Sequence, residues 1–317
     1  MKDIMLTGAR PTGALHWGHY ISVFKNLSKL QNDFDTFFVV SDIHFLTTKI
    51  TPDQIKKIKP NTIKMILDLI AIGMDPINTT FYLQSKAPAH GNIYYLIQNF
   101  IDAQALYNPS IIEMEKHSNT KPSLGLLAYS VLESADILGI GAKKVPVGFD
   151  NIEHVNIANK IIYKINTTFG SDIQKPEAII STETTKLVGT DGYEKMSKSL
   201  GNAINIGDSS DILAKKIKAM EWNDDEDHNA LLEYAKLFDI GEYYMFREKG
   251  RDAIKNIKDF LIENFSKENA KFESRVAPFK EDENLIIELL KKGSEIAAQK
   301  YLKMFNNLKD ILGMWDF

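Results

Sequence analysis

Through the first 170 residues, short apolar runs alternate with longer stretches whose apolar positions recur every three or four residues. Residues 4–6, 36–41, 80–84 and 144–148 are apolar runs too short for helices and read as buried parallel strands. Residues 20–30, 51–72, 93–106, 125–138 and 151–169 carry helical spacing; in the second of these Ile55, Ile58, Ile63, Ile66, Leu67 and Ile70 share one face. Gly73 closes that helix, and Pro60 either kinks it or opens its main part. Strands alternating with helices predict an α/β fold, a Rossmann-like doubly wound parallel sheet covered on both faces. The pattern then changes. Residues 170–207 hold short apolar pieces such as Ala178-Ile179-Ile180, and residues 189–202 form a polar, glycine-punctuated stretch that reads as a long functional loop. Beyond Ser209 only helical spacing remains, which predicts a C-terminal all-helical domain.

Composition narrows the chemistry. At 317 residues, with 44% hydrophobic and 25% charged positions, the chain is long enough for two domains and ordinary for a soluble protein. It has no cysteine, so disulfides, thiolate catalysis and cysteine-ligated metal centres are excluded. The start of the chain lacks the apolar run of a secretory signal, and no stretch has the length of a membrane span. A cytoplasmic location without membrane contact is the expectation. A net charge of -4 disfavours indiscriminate nucleic-acid binding, and no DNA partner is expected.

Two short motifs carry the candidate chemistry. Arg10-Pro11-Thr12-Gly13-Ala14-Leu15-His16-Trp17-Gly18-His19 joins the first strand to the first helix. In an open α/β sheet that junction is where ligands bind, and free N–H groups there favour anions such as phosphates. His16 and His19 add donors, and Gly18 lets a flat base or a phosphate approach the backbone. The histidine pair also has the spacing of a metal half-site, but no third ligand stands at a telling distance and no metal site is expected. The second motif is Lys195-Met196-Ser197-Lys198-Ser199. A charge run is usually a solvated face, but these flanking glycines suit a loop that closes over a ligand, its lysines bringing positive charge to a phosphate chain.

Together, H-x-G-H at the first strand–helix turn and K-M-S-K-S after the sheet resemble the paired signatures of the class I aminoacyl-tRNA synthetases. The resemblance extends through Gly73-Met74-Asp75-Pro76, Val145-Pro146-Val147-Gly148 and Leu187-Val188-Gly189-Thr190-Asp191-Gly192, which are similar to runs in bacterial tryptophanyl-tRNA synthetases. It covers most of residues 1–205 and thins in the helical tail. The resemblance implies that His16, His19, Lys195 and Lys198 are catalytic. It places Arg10, Pro11, Thr12, Gly18 and His19 against ATP. Gly148, Phe149 and Asp150 match the family's ribose-gripping G-x-D, and Leu187 would pack near the adenine. Lys195, Met196, Ser197, Lys198 and Ser199 would close over the triphosphate, the two lysines stabilising the departing pyrophosphate.

The run Tyr129-Ser130-Val131-Leu132-Glu133-Ser134-Ala135-Asp136 resembles the family's specificity helix. There Asp136 would accept a hydrogen bond from the indole N–H of tryptophan. Indole offers one donor and no acceptor, so a carboxylate in an apolar pocket suits it. Glu133, one turn earlier, departs from the usual Met or Gln; two carboxylates so close repel unless one is protonated or paired.

What the resemblance implies is attachment of L-tryptophan to tRNA(Trp) through a tryptophanyl-adenylate, with ATP as substrate and Mg²⁺ travelling on its phosphates. Tyrosine is the alternative substrate. Tyrosyl enzymes generally carry Asp-Pro-Thr where Arg10-Pro11-Thr12 stands and append a further RNA-binding domain, for which a chain ending at Phe317 has no room. A non-catalytic RNA-binding paralogue is the other alternative, against which the intact histidines and lysines speak. The expected organisation is a catalytic domain over 1–205, a helical anticodon-binding domain over 206–283, and a last helix over 284–317 that packs back on the catalytic domain of a homodimer.

Overall fold

The computed structural model describes residues 2–48, 50–107, 121–148, 151–180, 187–193 and 195–315, without the side chains of Ser199 and Asp227. Five strands, β1 (Ile4–Ala9), β2 (Asp35–Val40), β3 (Thr79–Leu83), β4 (Lys144–Val147) and β5 (Glu177–Ile180), form one parallel sheet in the order β3-β2-β1-β4-β5. β1 pairs with β2 along its length, Ile4 opposite Asp35 through Ala9 opposite Val40. On its other side β1 meets β4 at Met5 and Lys144. The order in which strands are added therefore reverses between β1 and β4, and the crevice beyond the ends of these two strands is where such sheets bind ligands.

Both faces of the sheet are apolar because both are covered. On β2, Phe38 and Val40 enter one core while Phe37 and Val39 enter the other, as the two-residue repeat of a strand requires. The longer helices are α1 (Ile58–Ala71), α2 (Ala89–Ile97), α3 (Tyr129–Ile140), α4 (Ile152–Phe169), α5 (Ser210–Ala219), α6 (Ala230–Phe238), α7 (Ile240–Lys249), α8 (Ile254–Glu281) and α9 (Asn284–Leu312). α3 ends on Gly141 and α4 on Gly170, each in the left-handed conformation that glycine adopts without strain.

The helical tail is not a separate globule. Phe265 and Phe272 of α8 share a core with Met5, Phe38 and Phe81 of the sheet. α9 leaves that core after Ile286 and Leu290 and enters the opposite one through Ala297, Tyr301 and Leu308. It packs against β3, α2 and α3. No helix among the described residues is long and apolar enough to cross a membrane.

The sequence-predicted helix at 20–30 is more irregular than expected. It opens with a short turn, Trp17–His19, widens into a π-helical turn, Tyr20–Phe24, and becomes regular only over Lys25–Leu30. A π-turn at this point adjoins the ligand crevice, a common setting for one.

Candidate active site

The histidine turn is held from three sides. Beneath it, Asp68 of α1 is buried and accepts the Leu15 N–H at 2.8 Å, while Asn61 donates to the Pro11 carbonyl at 3.0 Å. Lys64 pairs with the same Asp68. Gly8, near the end of β1, has no space for a side chain, since a Cβ would lie 2.3 Å from Val39. Trp17 is 2% exposed and points away from the crevice into the helical tail, with ring centroids 4.7 Å from Phe265 and 5.6 Å from Phe272. The turn is thus braced by α8.

His16 and His19 cap one another. The His19 N–H donates to His16 Nδ1 and the His16 N–H donates to His19 Nδ1, both at 3.3 Å, with the rings stacked 3.6 Å apart. Since each Nδ1 accepts, each neutral ring carries its proton on Nε2. Burial is the main cause that pulls His16 down to about 3 and His19 down to about 4, with the Lys198 charge adding to it; for His16 the neighbouring His19 also contributes. Both rings are neutral donors at physiological pH.

The lysine segment is stitched to this turn. The Met196 N–H donates to the Leu187 carbonyl at 2.9 Å, the Trp17 N–H to Ile204 at 2.9 Å, and the Ile206 N–H to Leu15 at 2.9 Å. The Gly18 N–H points at the Met196 sulfur, 3.2 Å away, and a Cβ on Gly18 would lie 3.3 Å from Met196. Lys198 Nζ donates to the Thr12 carbonyl at 3.3 Å, and burial lowers its pKa against the opposing charge of Asp68. Lys195 is exposed. Asn202 folds the segment, accepting the Ser197 N–H at 2.8 Å and donating to Asp191 at 2.9 Å.

The other end of the crevice is built on α3, where Tyr129, Glu133 and Asp136 fall on one face. Asp136 is 2% exposed and held by three donors: Gln84 Nε2 at 2.7 Å on Oδ2, and Tyr301 Oη at 2.8 Å and His90 Nε2 at 3.1 Å on Oδ1. Burial alone would raise its pKa, but the His90 charge and these hydrogen bonds outweigh it and hold the carboxyl below the usual range. His90 moves the opposite way: burial lowers it, and Asp136 raises it more. His44 is also buried, and burial keeps it neutral. Its Nδ1 meets Gln84 Nε2 at 2.8 Å and stands 3.7 Å from Asp136, too far for a hydrogen bond. A carboxylate accepts about four hydrogen bonds. Among the described residues Oδ1 is doubly engaged and Oδ2 singly, which leaves one acceptor position on Oδ2 open. Glu133 is pushed up to about 8, first by burial and then by Asp136.

Between the two ends lies a cavity of about 320 Å³, lined by Thr12, Gly13, His19 and Lys198 on one side and by Tyr129, Glu133 and Asp136 on the other. Arg10 lines it as well, bonded to Thr48 at 2.9 Å with its guanidinium 5.8 Å from the centre of the Tyr129 ring. Gly148 lines it beyond β4, while Phe149 and Asp150 lie outside the described residues. Of the other sequence-predicted residues, Pro11, His16 and Gly18 support the turn from behind the cavity wall. Leu187 is buried in the core shared with α8. Lys195, Met196 and Ser197 belong to the segment but not to the cavity lining.

Sequence reading missed Gln84, His44, His90 and Tyr301. Gln84 directly follows β3 and His44 stands four residues beyond β2, at the strand ends where site residues gather, so a signal existed for these two. Nothing local marks Tyr301, which lies 165 residues from Asp136.

Comparison with known proteins identifies the family. The family model described as tRNA synthetases class I (W and Y) matches residues 2–302. The tryptophan–tRNA ligase of Chlamydia caviae is 32% identical over 337 residues, covering 99% of this chain and 97% of the relative. That of Treponema pallidum is 31% identical, with 98% and 96% covered. The crystal structure of tryptophanyl-tRNA synthetase from Campylobacter jejuni, complexed with ADP and tryptophan, matches with a TM-score of 0.86 at 28% identity, covering 98% of this chain and 100% of that one. The chain belongs to the class I tRNA synthetases for tryptophan and tyrosine, on their tryptophan branch.

Proposed function

We propose that this chain joins L-tryptophan to ATP at the cavity between the histidine turn and α3, and then passes the tryptophanyl group to tRNA(Trp). In the first step a carboxylate oxygen of tryptophan attacks the α-phosphorus of ATP in line. The bond to the β-phosphate oxygen breaks, and pyrophosphate leaves. In the second, a terminal ribose hydroxyl of the tRNA attacks the activated carbonyl and AMP leaves. No side-chain nucleophile is needed; positioning and charge stabilisation carry the first step. Mg²⁺ enters with ATP, held by phosphate oxygens and water.

The observation that carries this reading is the pairing of unlike ends in one cavity. At one end a neutral His19 and the Lys198 ammonium face the space a triphosphate would take. At the other, an ionised Asp136 keeps one open acceptor in an otherwise buried environment, the match to a lone indole N–H. His16 orients His19 through the reciprocal cap. Lys195 joins Lys198 on the leaving pyrophosphate, and Phe149 with Asp150 grips the ribose, as the resemblance implies. The helical region after residue 206 binds the tRNA anticodon, and the enzyme works as a cytoplasmic homodimer.

ATP–pyrophosphate exchange with each of the twenty amino acids tests this directly. Tryptophan alone should stimulate exchange strongly. Stimulation by tyrosine and not tryptophan, or by no amino acid, would overturn it.

A further inference from the structure

Asp136 owes its orientation to a residue from the far end of the chain. The Tyr301 hydroxyl stands 2.8 Å from Asp136 Oδ1 and 3.1 Å from the Tyr82 hydroxyl. Burial pushes the ionisation of both phenols well above the ordinary range, so each keeps its proton. A carboxylate only accepts. Tyr301 therefore donates to Asp136, and its oxygen is left to accept from Tyr82. The result is a directed chain, Tyr82 to Tyr301 to Asp136, closed on the same oxygen by His90.

The helix that supplies Tyr301 has little freedom. A Cβ on Gly293 would lie 2.0 Å from the Phe81 carbonyl oxygen, and one on Gly139 would lie 2.2 Å from the Tyr301 ring. Ser294 Oγ accepts the Leu83 N–H at 3.1 Å, next to Gln84, the third partner of Asp136. The phenol ring is fully buried, packed against Gly139 of α3 and edge-on to Tyr82 of β3.

We propose that Tyr301 is a positioning residue for amino-acid selection: by occupying Asp136 Oδ1 it leaves the single open acceptor on Oδ2, aimed at the substrate's ring N–H. This rests on the reading that Asp136 receives that N–H. Without the hydroxyl, Oδ1 regains an acceptor, the carboxylate turns toward His90, and the distinction between a side chain bearing a ring N–H and one lacking it weakens.

The test is ATP–pyrophosphate exchange by the full chain and its Tyr301→Phe and Asp136→Asn variants. Substrates are tryptophan and its benzothienyl analogue, in which sulfur replaces the ring N–H. Tyr301→Phe keeps the ring packing. It should raise KM for tryptophan about tenfold, as loss of one oriented hydrogen bond does. KM for ATP and kcat should stay within about twofold, and the analogue should be unaffected, since it never used the bond. Asp136→Asn should impair tryptophan far more. If Asp136→Asn is impaired while Tyr301→Phe keeps the parent KM, the positioning role is overturned and the Asp136 reading stands. If Asp136→Asn is itself unimpaired, the reading and the inference fall together. An equal loss for tryptophan, analogue and ATP in Tyr301→Phe would mark general damage and also overturn the role. Should Tyr301→Phe not fold, Tyr82→Phe breaks the chain one link back and should raise KM for tryptophan about two- to fivefold; an unchanged KM there would overturn the proposal.

Discussion

Two carboxyl groups stand one helical turn apart at the closed end of the cavity, and their surroundings treat them oppositely. Asp136 has three donors and stays ionised; Glu133 has no hydrogen-bond donor among the described residues and is pushed up to about 8 by burial and by Asp136. At neutral pH Glu133 is mostly protonated, which is how the pair avoids repulsion. The sign of its effect on stability follows. Unfolded, Glu133 would lose its proton near 4.5; folded, it holds the proton to about 8. The unfolded chain therefore binds fewer protons between those values, and stability from this group, full below 4.5, falls as pH rises toward 8. Glu133→Gln removes that cost. Its stability in denaturant should match the parent's closely at pH 4.5 and exceed it by on the order of 4 kcal/mol at pH 8. An equal difference at both values would contradict the assignment. Sequence alone identified the conflict between these two residues but not its resolution, because Gln84, His90 and Tyr301 come from other elements.

At the scale of elements, the apolar runs mark β2, β3 and β4 to within a residue and only the first half of β1, because both faces of the sheet are covered. β5 escaped recognition; Glu177–Ile180 is a four-residue edge strand whose Ile180 is exposed. Within the helical tail α7 carries no single apolar stripe, since only Phe246 is buried. The lysine segment was legible as a loop, while its docking was not. The glycines and lysines are local signals, but the bonds to Leu15, Trp17 and Gly18 cross nearly the whole catalytic sequence. Within that segment Lys198 already touches the Thr12 carbonyl at the cavity. Lys198→Ala should lower the rate of adenylate formation by ~10² with KM for tryptophan unchanged, as loss of one preorganised charge does. Pre-steady-state formation of the adenylate measures it, and a rate within a few-fold of the parent would contradict the role.

On the scale of the whole molecule, the two cores explain how a helical tail reaches a pocket it does not adjoin in sequence. α8 completes one core and braces the histidine turn through Trp17, so the histidine end of the cavity rests on the tail. α9 crosses into the opposite core and sets Tyr301 on Asp136, so the Asp136 end rests on it too. Both contacts join residues more than a hundred positions apart, which periodicity and motif spacing do not reveal. The central claim is that one carboxylate in this cavity, with one acceptor left open, reads the indole N–H. Its most direct test is kcat/KM for tryptophan in ATP–pyrophosphate exchange by Asp136→Asn. The account predicts a fall of ~10³-fold or more with KM for ATP unchanged, the scale expected of a site built around one buried hydrogen bond. A kcat/KM within fivefold of the parent, on the order of 1 kcal/mol, would contradict it.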